Sequence, residues 1–154
     1  MEKITHISQE GLDKLKAELA EIEGKKLKEI AKKIAEAKDL GDLSENAEYH
    51  EAKQTQAFLY GKAQEIKQKI RNAKIIDSKN CDKSSVGIGC TVVLKNGDDE
   101  AEYTLVGSDE ADPLSGKISI ESPIGNSLLD HKVGDKVGVK TPSGETFYSV
   151  IKIK

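Results

Sequence analysis

Apolar residues recur at spacings of three and four through the first half of the chain. One run contains Leu12, Leu15, Leu19 and Ile22, slips near Gly24 and Lys26, and resumes at Leu27, Ile30, Ile34 and Ala37. A second run, with Gln56 as its polar interruption, contains Tyr49, Ala52, Gln56, Leu59, Ala63, Ile66, Ile70 and Ala73. Such spacing places side chains along one side of a helix, as a coiled-coil seam requires. Two facing seams predict an antiparallel helical hairpin that reverses near residue 42.

Ser8 is the predicted N-cap of the first helix, because Ile7 before it and Leu12 at the fourth helical position can close as a hydrophobic staple. Each arm has about 30 residues, so a rise of about 1.5 Å per residue predicts a rod of about 45 Å. The slip around Gly24 lies opposite the polar interruption at Gln56. We therefore expect the hairpin to loosen at that height.

The second half of the chain has the period-two patterns that are typical of strands. Strands are predicted at 90–94, 103–106, 117–121, 136–140 and 147–153, with a turn at Asn96-Gly97. Ser122 followed by Pro123 predicts the start of a short helix. The predicted fold class is α+β. It has an antiparallel coiled-coil hairpin at residues 1–76, a loop containing the domain boundary at 77–86, and a small antiparallel β-sheet domain with one short helix at 87–154.

The overall charge argues against two classes of partner. With a formal net charge of -3, the chain lacks a global basic field that would hold it on duplex DNA or on an anionic membrane. It has no run of about 18 apolar residues, and its first residues lack the apolar core of a signal peptide, so we expect a soluble, cytoplasmic protein. In that compartment Cys81 and Cys90 are expected to be free thiols.

A cluster of acids at the predicted reversal is the sharpest anomaly. Between Lys38 and Lys53 the chain has no other lysine and no arginine, but five acids: Asp39, Asp42, Glu45, Glu48 and Glu51. Helix ends explain some of them, because Gly41 can end the first helix and Asp42 with Glu45 resembles a capping box for the second. The functional alternative is that the carboxylates face a hard cation such as Mg²⁺, with its remaining ligands supplied by another molecule.

The segment from Gly41 to Lys53 resembles the tip motif of the Gre family of bacterial transcript-cleavage factors, closest to its GreA type. The segments at 122–125, 133–135 and 141–145 resemble the family's C-terminal domain, whose fold is similar to the FK506-binding proteins. The resemblance implies a transcription elongation factor that binds bacterial RNA polymerase and inserts its hairpin tip into the secondary channel. There it would stimulate Mg²⁺-dependent cleavage of the 3′ end of backtracked nascent RNA, as a cofactor of polymerase and not as an enzyme.

The same resemblance implies roles for individual acids at the tip. Asp42 and Glu45 match the acids that help to hold a weakly bound Mg²⁺ jointly with polymerase and that position the attacking water. No metal is therefore expected to bind tightly to the isolated protein. Glu48 and Tyr49 are expected to support the tip without ligating the metal.

Basic and docking residues are implied in the same way. Lys38 and Lys53 match a small basic patch that contacts the 3′ end of the RNA, although lysines beside a helix are commonly just solvated. Ser122, Pro123 and Ile124 are expected to dock on the rim of the polymerase channel, while Ser122-Pro123 is also explained as helix initiation.

Four other readings of the sequence remain. A peptidyl-prolyl isomerase would need a concave aromatic lining, and the second half offers only Tyr103, Phe147 and Tyr148. A related factor that enters the channel could inhibit transcription, and a plain coiled-coil adaptor would tolerate neutral residues at the tip. A zinc site at His50 lacks a second histidine within ligand spacing.

Overall fold

The computed structural model describes residues 3–77 and 81–154. Its elements are β1 (Thr5–Ile7), α1 (Gln9–Glu21), a π-helical turn (Ile22–Lys26), α2 (Leu27–Lys38), α3 (Ala47–Arg71), β2 (Ala73–Ile75), β3 (Thr91–Asn96), β4 (Asp99–Val106), β5 (Lys117–Ser119), α4 (Pro123–Leu128), β6 (Lys136–Thr141) and β7 (Gly144–Ile153). The predicted α+β class, a helical hairpin followed by a small sheet domain, is confirmed.

The chain divides into two compact units. One unit is Leu12–Asn72, and the other consists of the described residues within Met1–Gly11 and Ala73–Lys154. The predicted domain limits at residues 76 and 87 stay a prediction, and residues 78–80 of the predicted loop lie outside the described residues.

The hairpin forms along the predicted seams. Its arms pack through two buried clusters, one built on Ile22, Ala63 and Ile66 and the other on Ile30, Ile34 and Ala52. The slip near Gly24 is a π-helical turn, in which the Leu27 amide donates to the carbonyl of Ile22. This turn accommodates the five-residue step in the seam, so the helix continues. The expected loosening is wrong, because Leu27 and Leu59 pack against both clusters and join them.

Two short strands were not predicted from the sequence. β1 and β2 pair in parallel, with Thr5 opposite Ala73 and Ile7 opposite Ile75. The predicted second seam extends to Ala73, but α3 ends at Arg71 and Ala73 begins β2. A three-residue strand is too short to show a period of two, and its partner is distant in the sequence.

The start of α1 confirms Ser8 as its N-cap, because the Gly11 amide donates to Ser8 Oγ over 3.0 Å. Ser8 also donates from its amide to Glu110 Oε2 over 2.7 Å and from its hydroxyl to Glu110 Oε1. Nearby, a Cβ added to Gly107 would lie 1.6 Å from the backbone oxygen of His6. These contacts explain why the first described residues belong to the same unit as the sheet.

The sheet has the strand order β5-β4-β3-β7-β6. β3 and β4 form the predicted hairpin, with Asn96 opposite Asp99 and Gly97 at φ 62° in the two-residue turn. The predicted antiparallel pairing is confirmed for three strand pairs but is wrong for β4 and β5, which pair in parallel across the connection from Val106 to Lys117. The core lies between this sheet and α4, and its most buried side chains include Val92, Leu105, Leu128 and Val139.

The expectation that Cys81 and Cys90 are free thiols is wrong. They form a disulfide with their Cα atoms 5.3 Å apart, within the range that such a bond spans. Cys90 is buried in the sheet core and Cys81 packs against that core. The path of the chain between them brings the sulfurs together, and the spacing of the two residues in the sequence does not indicate this.

Candidate functional site

The turn between α2 and α3, residues 39–46, contains three of the five predicted acids, Asp39, Asp42 and Glu45, and is here named the tip loop. Every side chain from Lys38 to Glu45 is exposed. Ala37, at the end of α2, is 4% exposed, and the next buried side chain along the chain is Ala52. No apolar packing within the loop itself therefore fixes its conformation. Across the described ranges 3–77 and 81–154, no polar or charged side chain is buried, so their polar chemistry takes place at the surface.

Asp42 is held by a small hydrogen-bonded turn within the tip loop. Its Oδ1 accepts from the backbone amide of Ser44 over 3.1 Å and from the Ser44 hydroxyl over 3.0 Å. The backbone bond, followed by the hydroxyl bond, lowers the pKa of the Asp42 carboxyl below its usual value. Asp42 is therefore a fixed, fully ionised carboxylate at neutral pH, on an exposed turn.

The capping-box explanation of Asp42 and Glu45 is wrong. The N-cap of α3 is Asn46, whose Oδ1 accepts from the Tyr49 amide over 3.1 Å. Asp42 lies four residues before that cap and binds Ser44 instead. Helix capping therefore does not account for either acid. The sequence does indicate Asn46, since asparagine is among the best N-cap residues. The Asp-x-x-Glu spacing predicts a different cap, at Asp42.

Asn46 also binds the other arm. Its Nδ2 donates to the backbone oxygen of Ala37 over 2.5 Å, and Ala37 lies in the last turn of α2. One side chain thus joins the end of α2 to the start of α3. The tip loop is closed by this link, and Asp42 and Glu45 both lie inside the closed segment.

The acids differ in their surroundings. Glu45 lies in the tip loop beside Asn46, with its side chain exposed. Glu48 and Glu51 lie on the first two turns of α3 and line a groove of about 550 Å³ between the two arms. Asp39 is the C-cap of α2. The tip loop thus presents Asp42 and Glu45 within one turn, while Glu48 and Glu51 line the groove between the helices.

Tyr49 packs into the hairpin, as its place in the seam predicts. Its ring lies against the cluster built on Ile30, Ile34 and Ala52. Lys53 Nζ lies 6.0 Å from the centre of that ring, and the His50 ring meets its edge at 5.6 Å between centroids. Lys53 is therefore held one turn beyond Tyr49, with its charge exposed. Lys38 is exposed as the last residue of α2.

Two family profiles match nearly the whole chain. One, described as "Transcription elongation factor, N-terminal", matches residues 5–75, and the other, described as "Transcription elongation factor, GreA/GreB, C-term", matches residues 81–154. The chain belongs to the GreA/GreB family of transcription elongation factors. This confirms the family that the tip motif suggested.

Individual GreA/GreB relatives are similar over their full length. Transcription elongation factor GreA of Thermoanaerobacter pseudethanolicus is 46% identical over 156 residues, which covers 100% of this chain and 99% of the relative. Transcription elongation factor GreA of Bacillus anthracis is also 46% identical over 156 residues, covering 99% and 98%. Among solved structures, GreA factor homolog 1 of Thermus thermophilus aligns over 99% of each chain, at 25% identity and a TM-score of 0.45.

Residues 81–154, here named the GreA/GreB C-terminal segment, contain the residues predicted to dock on a partner. Ser122 is the N-cap of α4 and accepts from the Gly125 amide over 3.1 Å, as its sequence predicts. Pro123 is exposed, whereas Ile124 packs partly against the sheet core. The three residues are adjacent, but only Pro123 has an exposed side chain. Their docking role stays a prediction.

The donor set at the tip loop is compatible with a shared Mg²⁺ ion. Asp42 and Glu45 supply carboxylate oxygens, and Mg²⁺ commonly binds through one or two carboxylates with water and phosphate as its other ligands. No group of three or more histidine, cysteine or acidic residues that could hold a metal occurs among the described residues. Two exposed carboxylates suit an ion whose other ligands come from a second molecule. A zinc site at His50 gains no support, because His50 belongs to no such group of ligands among the described residues.

The aromatic residues of the GreA/GreB C-terminal segment do not form the lining that a prolyl isomerase would need. Tyr103 and Tyr148 pack against the sheet core. Phe147 is half exposed beneath Lys136, whose Nζ lies 5.1 Å from the ring centre. Phe147 and Tyr148 are neighbours on β7 and point to opposite faces of the sheet.

Among the described helices, none is long and apolar enough to cross a membrane.

Proposed function

We propose that this chain binds bacterial RNA polymerase, places its tip loop in the secondary channel and stimulates cleavage of the 3′ end of backtracked RNA. Asp42 and Glu45 would hold a Mg²⁺ ion jointly with polymerase. Membership of the GreA/GreB family supports an action in transcription elongation. The observation that carries the site is the exposed, hydrogen-bonded Asp42 carboxylate, three residues before the exposed Glu45, in a turn that helix capping does not explain.

Each group in this proposal has a separate task. When bound, Mg²⁺ supplies stabilisation of the negative charge that develops on the phosphate oxygens during hydrolysis. Asp42 and Glu45 would hold that ion through their carboxylate oxygens and would accept hydrogen bonds from the attacking water. Lys38 and Lys53 lie on either side of the tip loop, where their charges would offset those of RNA phosphates. Glu48 and Tyr49 support the loop from the first turn of α3.

The chain would act as a cofactor of polymerase and not as an enzyme in its own right. Two exposed carboxylates leave most of the coordination positions of Mg²⁺ to other ligands. We therefore expect purified protein with Mg²⁺ to leave RNA intact. Hydrolysis of RNA by the protein alone would contradict this part of the proposal.

The test uses a backtracked elongation complex incubated with wild-type protein, Asp42→Asn or Glu45→Gln. Both changes keep side-chain size, and asparagine at position 42 retains an oxygen for the Ser44 bonds. We expect each to slow cleavage by roughly 10²-fold or more, because charge stabilisation of the transition state is lost. Polymerase affinity, measured by competition with labelled wild-type protein, should be unchanged.

The matched controls are Asp39→Asn and Glu51→Gln, which remove the same charge from exposed acids nearby. These variants should cleave at nearly the wild-type rate. Equal losses in all four variants would indicate a general effect of acidity, and equal losses of cleavage and affinity would indicate docking. Full cleavage by Asp42→Asn and Glu45→Gln would favour the coiled-coil adaptor, and slowed elongation by wild-type protein would favour the inhibitory relative.

A further inference from the structure

The tip loop is exposed from Asp39 to Glu45, yet its acids must be placed accurately to share an ion with a second molecule. From Lys38 to Glu45 no side chain is buried, and Leu43 is still 41% exposed, so burial restricts the loop little. Hydrogen bonds must therefore hold its shape. The Asp39 and Leu40 amides donate to the Glu36 and Ala37 oxygens and continue the end of α2, and the Ser44 bonds fix Asp42 locally, but none of these bonds connects the loop to α3.

Asn46 makes that connection. It is the half-buried residue that ends the exposed segment, and both ends of its side-chain amide are used. The oxygen accepts from the Tyr49 amide at the start of α3, and the nitrogen donates to the Ala37 oxygen at the end of α2. Tyr49 and Ala37 are themselves held by the packing of the hairpin. Through Asn46, the packed helices therefore hold both ends of the tip loop.

We propose that Asn46 is the positioning residue of the tip loop, and that its bond to Ala37 sets where Asp42 and Glu45 present their carboxylates. The inference rests on the proposed function for its consequence in cleavage, but not for its consequence in loop order. Only a short carboxamide fits both bonds. Aspartate and serine are equally good N-caps, but aspartate has no donor for the Ala37 oxygen, and the serine hydroxyl is shorter.

The test compares Asn46→Asp and Asn46→Ser with wild type. Both keep an acceptor for the Tyr49 amide, so α3 should still begin at the same residue and the thermal midpoint should hardly change. The Mg²⁺ concentration for half-maximal cleavage should rise about tenfold in both, because displacement by even about 1 Å strongly weakens a shared site. Affinity for polymerase should stay within the error of the competition assay.

A second measurement needs no polymerase. Backbone order parameters from ¹⁵N relaxation should fall across residues 39–45 in both variants, while those of α2 and α3 remain at wild-type values. The matched control is Asn72→Ser at the opposite end of α3, which makes the same chemical change away from the tip loop. This control should leave the order parameters and the Mg²⁺ dependence unchanged.

Wild-type Mg²⁺ dependence in Asn46→Asp would overturn the proposal, since it would mean that the cap alone is sufficient. Unchanged order parameters in both variants would overturn it as well. The failure of the proposed function looks different: Asp42→Asn and Glu45→Gln would then cleave normally in the same assay. In that case the order parameters would still decide whether Asn46 positions the loop.

Discussion

The tip loop and the core of the sheet are ordered by opposite means. In the core between the sheet and α4, Val92, Leu105 and Leu128 are fully buried, and water is excluded from their side chains. In the tip loop the side chains are exposed, and hydrogen bonds from Ser44 and Asn46 provide the order. Apolar burial therefore stabilises the first region, while the second holds the residues of the proposed site.

This difference predicts which property, stability or function, each kind of substitution should change. Removal of buried apolar surface lowers the free energy of unfolding in proportion to its area. Neutralisation of an exposed carboxylate at the tip loop should change that free energy little but remove a ligand from the proposed Mg²⁺ site. Substitutions in the core should thus change stability, and substitutions at the tip loop should change function.

The largest expected effect on stability follows from Leu105→Ala in β4. Leu105 is 0% exposed, and truncation of such a side chain lowers the free energy of unfolding by about 2–5 kcal/mol. The matched control is Leu114→Ala, because Leu114 is 99% exposed and should contribute almost nothing. Urea denaturation measures both. Cleavage per folded molecule should be unchanged in Leu105→Ala, and a loss there would mean that the core also sets the tip chemistry.

An intermediate effect is expected from reduction of the disulfide. Cys81 and Cys90 are nine residues apart, and opening so short a loop should lower the free energy of unfolding by about 2–3 kcal/mol on the chain-entropy estimate. The measurement is urea denaturation with and without dithiothreitol. Cys81→Ser provides the control, since its stability should not respond to the reductant. Equal midpoints for oxidised and reduced wild type would show that the bond adds nothing.

The smallest expected effect concerns the pKa of Asp42. Ser44→Ala removes the hydroxyl bond but keeps the larger backbone bond, so the pKa should rise only part of the way toward its usual value. Because the folded pKa is the lowered one, the stabilisation by the Ser44 bonds is present above the unfolded pKa. It is lost as the pH falls through the folded value. Cleavage near neutral pH should therefore not change through this titration.

Carboxyl NMR titration of wild type and Ser44→Ala measures that shift. Asp82 is an internal reference, since it accepts from the Ser84 amide over 3.0 Å and also has a lowered pKa. The Asp82 pKa should be the same in both proteins. An Asp42 pKa that does not move would mean that the hydroxyl bond is not formed in solution.

Much of this arrangement could be predicted because it depends on neighbours in the sequence. Helix periodicity placed both seams, and the five-residue step from Ile22 to Leu27 marked the position of the π-helical turn. The Ser8 and Ser122 caps and the turn at Gly97 follow from local backbone chemistry. The acids near residue 42 could likewise be assigned to the reversal between the two seams.

Other features depend on residues that meet only after the chain has folded. The parallel pairing of β1 with β2 and of β4 with β5, and the disulfide of Cys81 with Cys90, have no local pattern to indicate them. The same holds for the bond from Asn46 to Ala37, which crosses between two helices. Local periodicity and capping determined where the hairpin arms and the acids lie. Contacts between separate segments decided how the loop with those acids is held. Such a contact contributes free energy only when both of its partners are already in place.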